Sequence, residues 1–278
     1  MNIPKIPVGD TLESFIDFLI EHCSFATKAF SVVMEEGLDF LDAAMLAMPP
    51  LMFIPLAGLL AWFISKQKRL GIFTVLGLLL ILNMGLWKAT VSTFSLVIIA
   101  TLVAISIGIP LGIAAAMSKT ANKIVMPVLD VMQTMPAFVY LIPAIPFFGL
   151  GKVAAIFSTV VFSMPPAIRL TCLGIKQVPE DLVECAEAFG STRWQRLVKL
   201  ELPIATPTIM AGINQTIMLA LSMVVIAAMI GAKGLGGEVW KAIQRLQMGN
   251  GFEAGIGIVI VAMILDRVLQ RVGTKNKR

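Results

Sequence analysis

Seven stretches of almost unbroken apolar residues, at approximately 48–65, 70–87, 91–117, 126–149, 152–168, 205–230 and 252–268, constrain this chain more than anything else in it. Most approach the roughly 20 residues that an α-helix needs to cross a bilayer. Of the 278 residues, 58% are hydrophobic and only 14% charged, where soluble domains carry about a quarter. The expected class is an all-α integral membrane protein with about seven transmembrane helices, whose first partner is the lipid bilayer.

The first 46 residues differ, with eight acidic and two basic side chains. Asp10 to Glu13 looks like a capping box, and Phe15, Leu19 and Ile20 share one side, which predicts an amphipathic helix at the interface. A basic start and an uninterrupted apolar core are both missing, so this is not read as a signal peptide. Orientation follows from the distribution of lysine and arginine. With the amino terminus outside, the cytoplasmic segments hold Lys66, Lys68, Arg69, Lys119, Lys123, Arg169, Lys176, Arg193, Arg196, Lys199, Arg267, Arg271, Lys275, Lys277 and Arg278, which is 15 of the 22 basic residues. The inverted topology swaps the totals, so an outside amino terminus and a cytoplasmic carboxy terminus are preferred.

Proline interrupts three spans: Pro110 in the third, Pro136, Pro143 and Pro146 in the fourth, and Pro165 with Pro166 in the fifth. Such interruptions either line a pathway or are packing kinks, since irregular backbone at membrane depth is tolerated where it borders a cavity or protein. Gly108 and Gly112 form a pair that admits a close helix neighbour. Asp130 invites an ion-coupling reading, but lies only seven residues from Lys123 and fits the cytoplasmic interface better. Asn83, Asn214 and Gln215 are expected to form interhelical hydrogen bonds.

One polar run breaks the pattern. Pro179 sits where a first helical residue belongs, and Glu180 with Asp181 follow in the first turn, where the helix dipole favours acids. Leu182, Ala186 and Phe189 make one apolar stripe, and Gly190 falls where a left-handed cap ends a helix. Thr192 with Gln195 fits a capping box, opening a second short helix through Trp194, Leu197 and Val198 that Leu202-Pro203 is expected to close. The prediction is a helix, a glycine elbow and a second helix, on the cytoplasmic side.

Catalytic signatures are missing. No phosphate loop occurs, and Gly149-Leu150-Gly151-Lys152 lacks the earlier glycine and the following hydroxyl. The stretch Gly231 to Gly237 is expected to make tight turns outside the membrane rather than to cradle a nucleotide. A single histidine, His22, and three scattered cysteines, Cys23, Cys172 and Cys185, suggest neither a metal site nor a disulfide framework. No enzyme activity, no cofactor and no nucleic-acid partner are expected of this chain.

The run ECAEAFGSTRWQRLVKLELP resembles the cytoplasmic loop of ABC importer permeases: Glu-Ala-Ala, three residues, Gly, nine residues, Ile-x-Leu-Pro. Glu184, Ala186, Gly190, Leu202 and Pro203 match in register, with Cys185 and Leu200 as substitutions. Further stretches, including DVMQTMPAFVYLIPAIPFFGLG and AGINQTIMLALSMVVIAAMIGAKGLG, are similar to the glycine betaine/proline betaine permease subunits over most of residues 90–270.

This resemblance implies a type I importer permease core (MetI-like) in a bacterial cell membrane. It divides the chain into the amphipathic segment 1–46, two accessory transmembrane helices in 47–89, a permease domain at 90–270 whose cytoplasmic coupling loop is 169–204, and a basic tail at 271–278. It implies a coupling role for Glu184, Ala186, Phe189, Gly190, Arg193, Trp194, Arg196, Leu202 and Pro203. Phe189 and Trp194 would be anchors, and Arg193, Arg196 and Lys199 a basic rim. Implied partners are a second copy of the permease, two copies of a cytoplasmic ATPase that binds ATP and Mg, and an extracytoplasmic substrate-binding protein. Tyr140, between Pro136 and Pro143, is the candidate for the translocation path. Other cargoes (choline, carnitine, proline) and an ion-coupled transporter acting alone remain open alternatives.

Overall fold

The computed structural model describes residues 8–274 as a helical protein with no strand among the described residues. Lys5, the side chains of Phe15 and Cys23, and the basic tail from residue 275 lie outside the described residues. Helix α1 (Val8–Ala47) contains Asp10 within its first turn rather than at an N-cap. Its second half, from Phe30 through Met34, Leu38 and Leu41 to Met45, packs on the main core. At Pro49 the chain bends by 103° between Thr27–Ala47 and α2 (Pro50–Ser65). Pro50 occupies the first helical position, where its missing N–H costs no intrahelical bond. A tight turn through Lys66, left-handed at φ 55°, returns the chain into α3 (Lys68–Asn83).

The centre is built from α4 (Trp87–Met117), α7 (Lys152–Ser163), α8 (Pro165–Lys176), α11 (Leu202–Ala227) and α13 (Met248–Thr274). Small residues set the helix spacing. A Cβ on Gly112 would stand 2.6 Å from Thr171 Cβ and 2.7 Å from the Ile168 carbonyl, and one on Gly108 3.0 Å from Ala167 Cβ. The predicted close approach at this glycine pair is therefore the α4–α8 contact. Gly212 of α11 meets Pro166 and Leu170 of α8 in the same way. Asn214 donates to Asp266 Oδ1 at 2.8 Å, joining α11 to α13 as expected of an intramembrane amide.

The seven apolar stretches are mainly helical, but the prolines act unequally. Helix α4 runs through Pro110 without a break. Pro165 and Pro166 take the first positions of α8, and Lys152–Lys176 still forms one membrane-length helix. The sharp interruption is in the fourth stretch. There α5 (Lys119–Thr134) ends, Met135 and Pro136 are extended, a 3₁₀ turn covers Ala137–Tyr140, and α6 (Leu141–Phe148) departs at 112°. Trp87–Met117, Lys152–Lys176 and Arg193–Ile230 are each long and apolar enough to cross a membrane, and the two bent pairs supply further spans if each is counted as one.

At the end of the bundle where α4 begins, Gly231 (φ 94°) and Gly234 (φ 129°) turn the chain into α12 (Leu235–Gln244). The Leu235 N–H donates to Thr93 Oγ1 at 2.8 Å. These are the tight turns expected of the glycine-rich stretch.

Candidate functional site

Helix α9 (Glu180–Ala188) projects from the bundle with no buried residue. Pro179 is its N-cap, with ψ 133°, rather than its first helical residue. The difference is local: a proline ring fixes φ but leaves ψ free. Gly190 has φ 77°; the Ser191 N–H donates to the Ala186 carbonyl at 3.0 Å and the Gly190 N–H to that of Glu187 at 2.9 Å. This is the paired-bond glycine termination that the sequence predicts. Thr192 then opens α10 (Arg193–Arg196) with both halves of a capping box, as its Oγ1 accepts from the Gln195 N–H and Gln195 Oε1 accepts from the Thr192 N–H.

The second helix does not end at Leu202-Pro203, contrary to expectation. A widened π turn at Leu197–Glu201 carries α10 directly into α11, and the Leu202 N–H bonds to the Leu197 carbonyl five residues back. Proline lacks the N–H of an ordinary α ladder, and a widened turn beside it keeps the helix continuous instead of stopping it. Leu197, 1% exposed, is thereby driven into a small core with Ile175 and Ala205, against which Leu202 packs. The elbow is thus pinned at its root.

Charge completes the pinning. Arg196 pairs with Glu187 of α9 and, through Nε at 2.7 Å, with Glu201, which is 7% exposed. Arg196 is therefore an internal strut between the two arms and not part of a free basic rim, which keeps only the exposed Arg193 and Lys199. Glu187 and Glu201 escaped the sequence reading as partners of Arg196. The only signal for them is opposite charge nine and five residues from Arg196, whose meaning depends on the fold of the elbow.

Large apolar side chains also remain outward beside these charges. Phe189 is 87% exposed and Trp194 68%, one on each side of Gly190, with Leu182 and Val198 also exposed. Glu184 and Pro203 are exposed and Ala186 half-buried. Two large exposed rings on a doubly capped turn are suited to insertion into a partner groove, since monomeric surfaces seldom display such clusters without use.

Elsewhere the structure separates the candidates. Tyr140 is 6% exposed; its hydroxyl donates to the Met132 carbonyl, its carbonyl accepts from Ser158 Oγ, and its ring meets Phe162 edge-on. Its polar groups are committed to holding the 112° break. Pro136 is exposed and Pro143 half-buried at the same break. Asp130 faces Arg169 Nη2 at 2.5 Å and is neutralised by it.

Comparisons with known proteins identify the family and the fold. The profile of the family described as "Binding-protein-dependent transport system inner membrane component" matches residues 108–273. The chain is 48% identical to the glycine betaine transport system permease protein OpuAB of Bacillus subtilis, covering 99% of this chain and 97% of the relative. It is 50% identical to the glycine betaine/carnitine transport permease protein GbuB of Listeria monocytogenes, covering 99% of each. It is 46% identical to the glycine betaine/proline betaine permease protein ProW of Escherichia coli, covering 98% of this chain and 77% of that one. A chain of the inward-facing MetNI methionine ABC transporter shares the fold, with a TM-score of 0.62 at 20% identity over 69% of this chain and 95% of its own. Matched by this profile over more than half its length, the chain belongs to the binding-protein-dependent transport system inner membrane components.

Proposed function

We propose that this chain is the permease subunit of an ATP-driven importer for glycine betaine and proline betaine type solutes, and that Glu184 to Pro203 is the joint through which a separate ATPase drives it. The observation that carries the coupling role is the exposed pair Phe189 and Trp194 on a doubly capped elbow whose root is buried. The substrate class rests on the relatives named above, each a glycine betaine permease.

In this reading the chain is non-catalytic, and ATP and Mg belong to two copies of the ATPase seated on the elbows of a permease homodimer. The amino terminus lies outside, with α1 along the membrane face. An extracytoplasmic binding protein delivers the solute to the end of the bundle opposite the elbow, where Lys88, Lys233, Lys241 and Trp240 border a cavity of about 400 Å³. The break at Met135–Tyr140 borders the pathway; Pro136 faces it, while Pro143 and Tyr140 fix its shape. Carnitine is the second cargo to consider, because GbuB carries it in its name.

The test is uptake by vesicles reconstituted with the permease, its ATPase and its binding protein. Labelled glycine betaine is expected to accumulate only with ATP inside the compartment that holds the ATPase, and proline betaine to compete. Uptake by the permease alone, driven by an ion gradient, would overturn the proposal.

A further inference from the structure

Exposed polar side chains occur on three helices of the bundle within membrane-length apolar segments, where a lipid-facing surface would be apolar. On α5, Asp130 and Gln133 are exposed one turn apart, just before the break. On α8, Arg169 reaches Asp130 Oδ1 with Nη2 at 2.5 Å. On α11, Gln215 and Ser222 are exposed two turns apart on one helix face. Their heights agree, because Gly212 of α11 packs against Pro166 and Leu170 of α8, which puts Arg169 and Gln215 about one turn apart. The 3₁₀ turn at the break of α5 also touches α11. Arg169 itself lies about 10 Å from the Lys176 end of the Lys152–Lys176 helix, the end that leads to the elbow. Charged and amide groups at such positions face protein or water and not lipid.

The Arg169–Asp130 pair is unlike the strut at Arg196. Arg196 is held by two carboxylates, one of them nearly buried. Arg169 has one, and the side chains of Arg169 and Asp130 are 39% and 65% exposed. The contact is single, since Arg169 Nη1 and Asp130 Oδ2 make no bond among the described residues. Nor does it alone fasten α5 to α8, as Asn122 Nδ2 reaches Cys172 Sγ at 3.4 Å. An exposed, single-contact pair adds little to stability. What it offers is an open guanidinium edge beside an open carboxylate oxygen. A solute with one charge meets one attraction and one repulsion there, and a neutral solute meets neither. A zwitterion with its carboxylate one carbon from a quaternary nitrogen matches both.

We propose that Arg169 and Asp130 form a binding site for the zwitterionic solute on the pathway, with Gln133 and Gln215 as polar neighbours along its approach. This rests on the solute class proposed above. The guanidinium edge takes the carboxylate through two N–H groups. The quaternary nitrogen carries no N–H, so Asp130 holds it by charge alone. The two side chains pair with each other when the solute leaves, so neither charge is left without a partner in either state.

The test is saturation-transfer NMR on the methyl protons of glycine betaine, with the permease and its ATPase in nanodiscs and no binding protein. Transfer is expected with the wild type, competed by proline betaine and not by glycerol. The double variant Arg169→Gln with Asp130→Asn keeps an amide at each position and removes both charges. Its melting temperature should hold while binding weakens about tenfold or more, the worth of a charge-assisted hydrogen bond. Arg169→Lys keeps the charge without the planar fork and should weaken binding about threefold. Unchanged binding in the double variant, or competition by glycerol as effective as that by proline betaine, would overturn the proposal. Absence of transfer to the wild type, while the complete transporter accumulates glycine betaine in vesicles, would overturn this site and leave the proposed function standing. If the double variant fails to assemble, Arg169→Lys decides, and full binding by it overturns the site.

Discussion

Replacing Gly190 isolates the conformation of the elbow from its packing. A Cβ at this position meets nothing within 4 Å, so no side chain is excluded by space. The whole penalty comes from φ 77°, where an L-residue costs roughly 1–2 kcal/mol relative to glycine. Asparagine, which tolerates the left-handed region, should cost less than alanine, and valine more. If the substituted loop relaxes when free and must regain the turn on docking, that energy is the upper limit of lost affinity, about five- to thirtyfold. The assay is binding of the purified ATPase to the permease in nanodiscs, with hydrogen exchange across residues 184–203 as a local readout. Affinity should fall in the order Gly, Asn, Ala, Val, with an unchanged melting temperature for the bundle. Equal affinities for Gly190→Ala and wild type, or a loss for Gly190→Asn as large as for Gly190→Val, would refute the conformational argument.

Phe189→Ala and Trp194→Ala should each weaken ATPase docking by about 2–4 kcal/mol, as for central aromatic anchors, and leave the permease melting temperature unchanged because both rings are solvent-exposed. Arg196→Met should destabilise the elbow by about 1–3 kcal/mol, since the nearly buried Glu201 loses its partner; adding Glu201→Gln should restore part of the loss in a thermal melt. Gly112→Val should separate α4 from α8, because its Cβ clash includes the Ile168 backbone carbonyl; a loss of about 1–3 kcal/mol is expected in a detergent or denaturant titration.

The elbow was legible where its geometry rests on bonds between near neighbours. Gly190 and the Thr192–Gln195 box are fixed by contacts three to five residues apart, and both stand as the sequence predicts. Leu202-Pro203 misleads for the same reason: the rule that proline closes a helix assumes an unbroken α ladder, and the π turn abandons that ladder. Arg196 looks like surface charge in the sequence, because Glu187 and Glu201 converge on it only after the chain has turned at Gly190. The prolines could be found but not ranked. Pro136 breaks its span because Met135 is extended before it, at ψ 135°, whereas α4 carries Pro110 within a continuous helix. Tyr140 stood out by its place between Pro136 and Pro143, while its hydrogen bond to Met132 depends on the bend that Pro136 starts.

The π turn also fixes the length of the lever that the proposed coupling role would use. Because it welds α10 to α11, Arg193–Ile230 is a single rod of 38 residues, about 57 Å long at 1.5 Å per residue. A tilt of roughly 10° imposed at the Trp194 end would sweep the Ile230 end through about 10 Å if the rod pivoted at its root. On the proposed coupling role, a small stroke at the elbow end of this helix would become a displacement the size of a solute at the other end.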